Sequence, residues 1–577
     1  MQTIQQILTA QVRDAFAAAF PEADLSSLPL DVLPAANEAF GDYQCNAAMA
    51  SARALRKPPR AIAEAVAARL AAGGADDWLA KVEVAGPGFL NLTLSDAALA
   101  RHLAGVQADP HAGLPQPGAG KRIVVDYSSP NVAKPMHIAH IRSTVIGDAL
   151  KRIHRALGWD ALGDNHLGDW GTQFGILIMG YRHFLDEKAL AAAPVDELQR
   201  IYVLSHQKAS DDPAWKDACR AELVKLQAGD PENRALWKKF IDLSLAEFDR
   251  VYKRLDVEFE LVRGESYYND ALPGVVEKLQ SLGLVRESEG ALVAFLDDEK
   301  LPPCIVRKSD GGFNYATTDL ATVFSRESEF HPDLVLYVTD ERQQLHFRQF
   351  FALARKAGAS VALRHVWFGL MRLPEGLLST RNGTAIKLDL LLDESVRRAR
   401  ELVDASSPDM PEADRAAVAE AIGIGAVKYA DLSQNPQSAV NFTWEKALSM
   451  DGNSAPYLQY ACARIASVLD KYRERFPGAD PLASPLLPGE TPQGRRLALR
   501  IARIPDAVLD AAAQMKPSLL ADALYELAQS YSSFYQNVPF LKADPGVREA
   551  RVRLCAIAAR ALRTGLHILG IRTPERI

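Results

Sequence analysis

The sequence predicts a multidomain chain of three parts: an α+β N-terminal unit, an α/β unit built on a Rossmann-like parallel sheet with a helical insertion, and an all-α C-terminal bundle. Three observations predict it. Short β-branched runs alternate with amphipathic helical stretches through the middle of the chain. A Pro- and Gly-rich stretch from Asp109 to Gly120 sets that middle apart from what precedes it. Beyond residue 410 the pattern is helical almost without a break. With 577 residues, 48% of them hydrophobic, the chain has material for a core in each part.

Residues 1–110 carry Ala-rich amphipathic segments at Ile4–Phe20 and Arg60–Ala72 around Gly41-Asp42-Tyr43-Gln44-Cys45-Asn46. The unit closes on Val82–Leu92, in which Gly86-Pro87-Gly88 reads as a turn feeding a strand through Phe89 and Asn91. Mixed helix and strand signals in one short unit give the α+β class.

The middle unit runs from about 118 to 400. Strands are expected at Arg122–Tyr127, Trp159–Asp164, Leu334–Val338 and Val366–Leu373. The first is a buried β-branched run, as parallel sheets require. A Pro- and Asn-rich loop follows it, and a helix starts near His137 with Ile138, Ile141, Val145 and Ala149 on one face. The span Ile123–Gly163 has the length of one βαβ unit. Charged helical sequence from about 177 to 265 reads as an insertion between the two halves of a nucleotide fold. The third unit, 410–577, has apolar residues at helical spacing, for instance over Arg415–Asp431 and Arg548–Leu569.

The chemistry concentrates after the first strand. His137 and His140 stand three apart at a helix N-terminus, just past the carboxyl end of a parallel strand. Open α/β sheets bind nucleotides there, and helix N-termini favour phosphates. Histidines at helix starts are mostly caps or core residues, so one alone would decide nothing. Here they come with Asp126 at the strand end, Asn131 and Lys134 in the loop, and the small Ala139 between them. This combination resembles the His-Ile-Gly-His signature of class I aminoacyl-tRNA synthetases. The flanks Asp-Tyr-Ser-Ser-Pro-Asn-Val-Ala-Lys and Arg-Ser-Thr-Val-Ile-Gly-Asp resemble the arginyl-tRNA synthetase family in particular. Gly41–Asn46, Gly86–Asn91, Asn441–Trp444, Tyr457–Ile465 and the C-terminal Gly570–Ile577 extend the resemblance over nearly the whole chain.

The resemblance implies an enzyme that uses ATP to activate L-arginine and transfers it to the 3′ end of tRNA(Arg), with Mg²⁺ carried by ATP and no protein-held metal. It also implies that tRNA must bind before the adenylate forms efficiently, so that the empty site is not preorganised. His137, Ala139, His140 and Thr380 are the implied ATP contacts. Ala139 stands where the family usually has glycine and places a methyl group near the adenine. Catalytic roles fall on His137, His140, Lys134 and Arg381. The second class I signature, Lys-Met-Ser-Lys-Ser, is absent. Its place is taken by Leu377-Leu378-Ser379-Thr380-Arg381-Asn382-Gly383-Thr384-Ala385-Ile386-Lys387-Leu388, so the cation on the pyrophosphate side is either Lys134 or Arg381. By the same resemblance arginine contacts Asp126, Ser128, Asn131, His166, Tyr315, Asp319 and Gln343; the acids among them answer the carboxylate that a guanidinium calls for. Polar mismatch would reject lysine at this site without an editing domain. For tRNA the candidates are Tyr43, Asn46, Phe89 and Asn91 in the N-terminal add-on domain, with Tyr531 and Tyr535 in the anticodon-binding bundle; bases stack on such aromatics.

Bulk properties exclude other classes. No apolar run is long enough to span a membrane, and Met-Gln-Thr-Ile-Gln-Gln-Ile-Leu does not read as a signal peptide. The five cysteines are scattered, which fits a cytoplasmic protein. A net charge of -6 means that RNA must meet a local basic face. A monomer is expected. Three alternatives stay open: another class I synthetase, a small-molecule nucleotidyltransferase, and a non-catalytic tRNA-binding synthetase paralogue.

Overall fold

The computed structural model describes residues 1–72, 78–373 and 387–577. The chain forms two compact units. One joins Met1–Pro117 to Ser449–Ile568 and Arg572–Ile577; the other comprises Gly118–Leu448 and Leu569–Ile571. The Pro- and Gly-rich stretch is where the chain passes from one to the other. The helical run from 410 is divided between them: the helix Glu412–Leu432 lies in the second unit and the helices from Ala455 onward in the first. Residues on every side of Glu412–Leu432 are buried from Val418 on, so its pattern pointed to no single core.

In the first unit, the helix Ile4–Ala19 starts on a capping box: Thr3 Oγ1 accepts the Gln6 N–H while Gln6 Oε1 accepts the Thr3 N–H. The strands Val32–Pro34, Tyr43–Cys45, Phe89–Leu94 and Leu79–Ala85 pair antiparallel in that order. Helices including Ala455–Arg475, Ser518–Asn537 and Val547–Ile568 make up the C-terminal portion. Arg495 ties the two portions together, with Nη1 and Nη2 at 2.8 and 2.9 Å from the Asp42 carboxylate.

Three of the residues assigned to tRNA are buried, which corrects that assignment. Tyr43 alternates inward on its strand and is fully buried under the Arg503 guanidinium. Asn91 is buried and accepts from Gln44 Nε2 at 2.8 Å. Tyr531 is fully buried on the inner face of its helix. None of the three offers a surface to RNA. Asn46 and Tyr535 are exposed and Phe89 is half-buried.

The second unit is centred on five parallel strands: β1 (Arg122–Asp126), β2 (Asp160–Asn165), β3 (Leu261–Val262), β4 (Leu334–Asp340) and β5 (Ala362–Phe368), in the order β5-β4-β1-β2-β3. Helix α1 (Ile138–Ala156) connects β1 to β2, α2 (Tyr315–Phe330) precedes β4, and α3 (Gln344–Lys356) connects β4 to β5. The order reverses between β1 and β4, and the crevice at their carboxyl ends is the ligand position of such sheets. The helices Thr172–Phe184 through Pro231–Leu255 leave after β2 and return at β3. The insertion therefore interrupts the first half of the sheet, whereas the sequence placed it between the halves. A two-residue strand carries no periodic signal, so β3 was not legible. A three-stranded antiparallel sheet over Arg286–Arg307 also precedes α2. Among the described residues, no helix is long and apolar enough to cross a membrane.

Candidate active site

The loop from β1 to α1 is strained and tightly held. Ser128, Ser129 and Ala133 have φ of 71°, 49° and 63°, a region that non-glycine residues avoid. Such outliers persist only where the surroundings impose them. The Ser128 N–H donates to Ser143 Oγ at 2.9 Å, and its hydroxyl lies 2.8 Å from both Thr144 Oγ1 and Tyr252 Oη. The Ser129 N–H donates to Asn165 Oδ1 at 3.1 Å and the Ala133 N–H to Ser244 Oγ at 2.9 Å.

This loop delivers His137 as the N-cap of α1. His137 Nδ1 accepts the Ala139 N–H at 3.3 Å, and His140 Nδ1 accepts the His137 N–H at 3.0 Å. The rings are 3.9 Å apart between centroids. A nitrogen that accepts a backbone N–H carries no proton, so each neutral imidazole holds its proton on Nε2. Burial, followed by the neighbouring His137, pushes His140 down to about 3. Burial and then Lys134 lower His137 as well. Both rings are neutral Nε2–H donors at neutral pH, held at a helix N-terminus. Lys134 is half-buried, with Nζ 5.2 Å from the Tyr202 ring centre.

The Asp126 and Ser128 side chains are both engaged by partners within the chain. The Asp126 carboxylate is buried, accepting from Arg326 Nη2 at 2.7 Å and from the Ser129 hydroxyl at 3.2 Å. Arg326 also reaches Asp164 at 2.7 Å. Burial opposes its charge, yet Asp164 and Asp126 hold the Arg326 guanidinium well above its ordinary range. Asp126 thus answers a guanidinium of the chain itself, and the buried Ser128 hydroxyl is engaged internally. The strand-end acid was legible; its partner on α2, 200 residues away, was not.

Acidic groups do gather across the crevice. Tyr315 opens α2 and is 69% exposed. Asp319, one turn on, receives His346 Nε2 at 2.6 Å through Oδ2. Gln343 is exposed in the turn after β4. Glu265 follows β3, its N–H bonded to the Leu167 carbonyl at 3.0 Å. Burial, and then the neighbouring carboxylates of Asp169 and Asp319, push Glu265 up to about 8. The His166 ring lies tilted against Tyr268, 5.6 Å between centroids, and its Nδ1 is buried with no partner among the described residues. Asn131 is exposed and bridges to Gly168; a Cβ on Gly168 would stand 2.2 Å from Asn131 Oδ1 and would displace that amide.

Comparison with known proteins matches this arrangement. Residues 107–444 fit the family model for the catalytic domain of class I tRNA synthetases (R), residues 2–94 that for the arginyl tRNA synthetase N terminal domain, and residues 458–577 the DALR anticodon binding domain. The chain belongs to the arginyl-tRNA synthetase family. It is 44% identical to the arginine--tRNA ligase of Fusobacterium nucleatum, over 96% of each chain. It is 42% identical to that of Chromobacterium violaceum, over 99% of this chain and 100% of the relative. Among solved structures, the arginyl-tRNA synthetases of Plasmodium falciparum (TM-score 0.84, 26% identity) and Thermus thermophilus (TM-score 0.82, 27% identity) each match over 100% of both chains.

The hydroxyl-rich stretch that stands where class I synthetases carry the lysine motif falls largely at 374–386. Thr380 and Arg381 lie outside the described residues. The loop's return is described: Lys387 bridges antiparallel to His137, and the Leu388 N–H donates to the Met136 carbonyl at 3.0 Å. Lys387 Nζ pairs with Asp196 of the insertion at 2.6 Å. Sequence reasoning did not single out Glu265, Arg326 or His346, which neighbour the predicted residues in the fold. Each is placed by a fold contact that spacing does not encode. The need for an acid facing the guanidinium was the one signal that could have pointed to Glu265.

Proposed function

We propose that the chain is an arginine–tRNA ligase. The observation that carries this reading is the pairing of two neutral, Nε2-protonated histidines at one end of the crevice with Asp319 and Glu265 at the other. A nucleotide at the switch point lies over the α1 N-terminus, where the His137 and His140 Nε2–H groups donate to the oxygens of the α-phosphate. The arginine carboxylate attacks phosphorus, the bond to pyrophosphate breaks, and charge that builds on the phosphoryl oxygens meets donors already in place. Such donors contribute on the order of 3–4 kcal/mol each. A terminal tRNA hydroxyl then attacks the arginyl carbonyl and AMP leaves. No covalent enzyme intermediate is needed.

Asp319 and Glu265 receive the guanidinium, with Tyr315 and Gln343 at its edge. Asn131 and His166 take the α-amino and carboxylate end. Asp126 and Ser128 act one step back, holding the loop. Lys134 and Arg381 remain the candidate pyrophosphate cations, with Thr380 and Ala139 against the nucleotide. Mg²⁺ arrives on ATP.

For tRNA, exposed Asn46, half-buried Phe89 and exposed Tyr535 are the candidate contacts. Arg464 extends the last of these, lying 4.5 and 5.3 Å from the ring centres of Tyr460 and Tyr535. The chain acts as a monomer in the cytoplasm, a setting that suits five buried, unpaired cysteines.

The test is arginine charging of tRNA by the wild type and by His137→Ala/His140→Ala. Charging that the double variant loses while still binding tRNA supports the reading. Wild-type binding without charging refutes it in favour of a non-catalytic paralogue.

A further inference from the structure

Asp319 and His346 belong to different helices. Asp319 lies in the second turn of α2, and His346 in the first turn of α3, three residues past Gln343. Their bond, His346 Nε2 to Asp319 Oδ2 at 2.6 Å, crosses the mouth of β4 and joins the helix that carries Tyr315 to the turn that carries Gln343. A carboxylate only accepts, so His346 donates and its Nε2 holds the proton.

The ring is itself fixed. It stacks on Phe350 at 6.1 Å with an interplanar angle of 24°, and meets the edge of Phe347 at 5.5 Å. Phe347 and Phe350 are core residues, so the imidazole has a rigid wall behind it. Asp319 retains 22% side-chain exposure and His346 31%. Among the described residues, Asp319 Oδ1 has no partner. The bond therefore occupies one oxygen and fixes the plane of a carboxylate that stays partly exposed. Without it, Asp319 would be free to turn about its side-chain torsions, and one face of a planar guanidinium fork would lose its aligned acceptor.

We propose that His346 is a positioning residue for arginine recognition: it orients Asp319 and locks the Tyr315 and Gln343 elements into one receptor for the guanidinium. The inference rests on the reading of Asp319 as a guanidinium acceptor. A donor at the same reach should substitute, because the role is a directed N–H and not a charge. In the His346→Gln variant the side-chain amide places its Nε2 near the position of the imidazole Nε2.

The experiment is steady-state aminoacylation of the full chain with tRNA, reading KM for arginine and for ATP separately from kcat, in wild type, His346→Ala, His346→Gln and Asp319→Asn. The expected result is a KM for arginine at least tenfold higher in His346→Ala, ATP KM and kcat near wild type, and most of the arginine KM regained in His346→Gln. Asp319→Asn should raise the same constant, and the double variant should add little to it, as coupled partners do. An unchanged arginine KM in His346→Ala, or equal losses in the Ala and Gln variants, overturns the inference while a high KM in Asp319→Asn keeps the guanidinium reading. An unchanged KM in Asp319→Asn overturns that reading itself. If His346→Ala does not fold, the Gln variant and circular dichroism decide: a folded Gln variant with a wild-type arginine KM supports the role, and a folded one with a KM raised as in Asp319→Asn rejects it.

Discussion

Arg142 and Asp431 form an ion pair that is 1% exposed on both sides, with Arg142 Nε 3.0 Å and Nη2 2.9 Å from the carboxylate. Arg142 Nη1 also donates to the carbonyls of Gly369 and Ser438, at 2.5 and 3.1 Å, and Nη2 to that of Pro436 at 3.2 Å. Arg142 stands two residues past His140 on α1. One guanidinium thus holds the histidine helix, the segment after β5 and the helix Glu412–Leu432 in fixed relation. Breaking a buried pair of this kind typically costs ~3–5 kcal/mol, because the other charge stays buried. Arg142→Met should lower the stability of this unit by that order in chemical denaturation, and Arg142→Met/Asp431→Leu should regain part of it.

The histidine caps separate two effects. His140→Ala removes the acceptor for the His137 N–H and the Nε2–H donor together. His140→Asn keeps an acceptor but not the donor. Both should lower kcat by about 10²–10³-fold, while thermal melting shows the Asn variant more stable by about 1 kcal/mol.

The same caps give a pH dependence with a definite sign. The folded pKa of His140, about 3, and that of His137 lie below the ordinary value of 6.5. The unfolded chain therefore binds protons at these positions first as pH falls. Their contribution to stability is full above pH 6.5 and declines from there toward about 3. NMR titration should show the His140 ring neutral at about pH 6, with its proton on Nε2, and His137 titrating below the ordinary histidine range.

Asp126 is expected to act on stability more than on substrate. Asp126→Asn leaves Arg326 with Asp164 as its only full counter-charge, at a cost of about 1.5–3 kcal/mol. Its arginine KM should move less than that of Asp319→Asn; the denaturation midpoint and the KM, measured side by side, check this.

With Glu265 as a guanidinium acceptor, arginine binding should be pH-dependent. With its carboxyl pushed up to about 8, the empty site holds a proton at neutral pH. A guanidinium favours the carboxylate, so binding should release a proton and the arginine KM should fall as pH rises from about 6.5 toward about 8.5. In the folded empty chain the sign is opposite: the raised pKa contributes stability below pH 4.5 that is lost as pH rises through about 8. Calorimetry of arginine binding in buffers of different ionisation enthalpy reads the released proton, and Glu265→Gln should abolish it.

The sheet was legible where strands were long, buried and β-branched, as Ile123–Val125 and Leu334–Val338 are. It was illegible at β3, where two residues carry no period. The histidine end of the site could be read because its parts are local: strand end, loop and helix start follow one another directly along the chain. The guanidinium end could be read only in part. Tyr315 and Asp319 share a helix face, but Glu265 and His346 reach them through the fold. The Asp126–Arg326 pair was illegible because a strand-end acid reads the same whatever faces it. Tyr43 and Tyr531 misled because an aromatic residue reads alike in a core and on a stacking surface.

Charging of total tRNA by the full chain with ATP and Mg²⁺, each of the twenty amino acids offered in turn, decides between arginine recognition and its rivals. Arginine alone should be transferred, with lysine rejected because its ammonium cannot satisfy acceptors set for a planar fork. Transfer of lysine at a comparable rate, or of a neutral amino acid in place of arginine, would contradict a site built from Asp319 and Glu265 for a guanidinium.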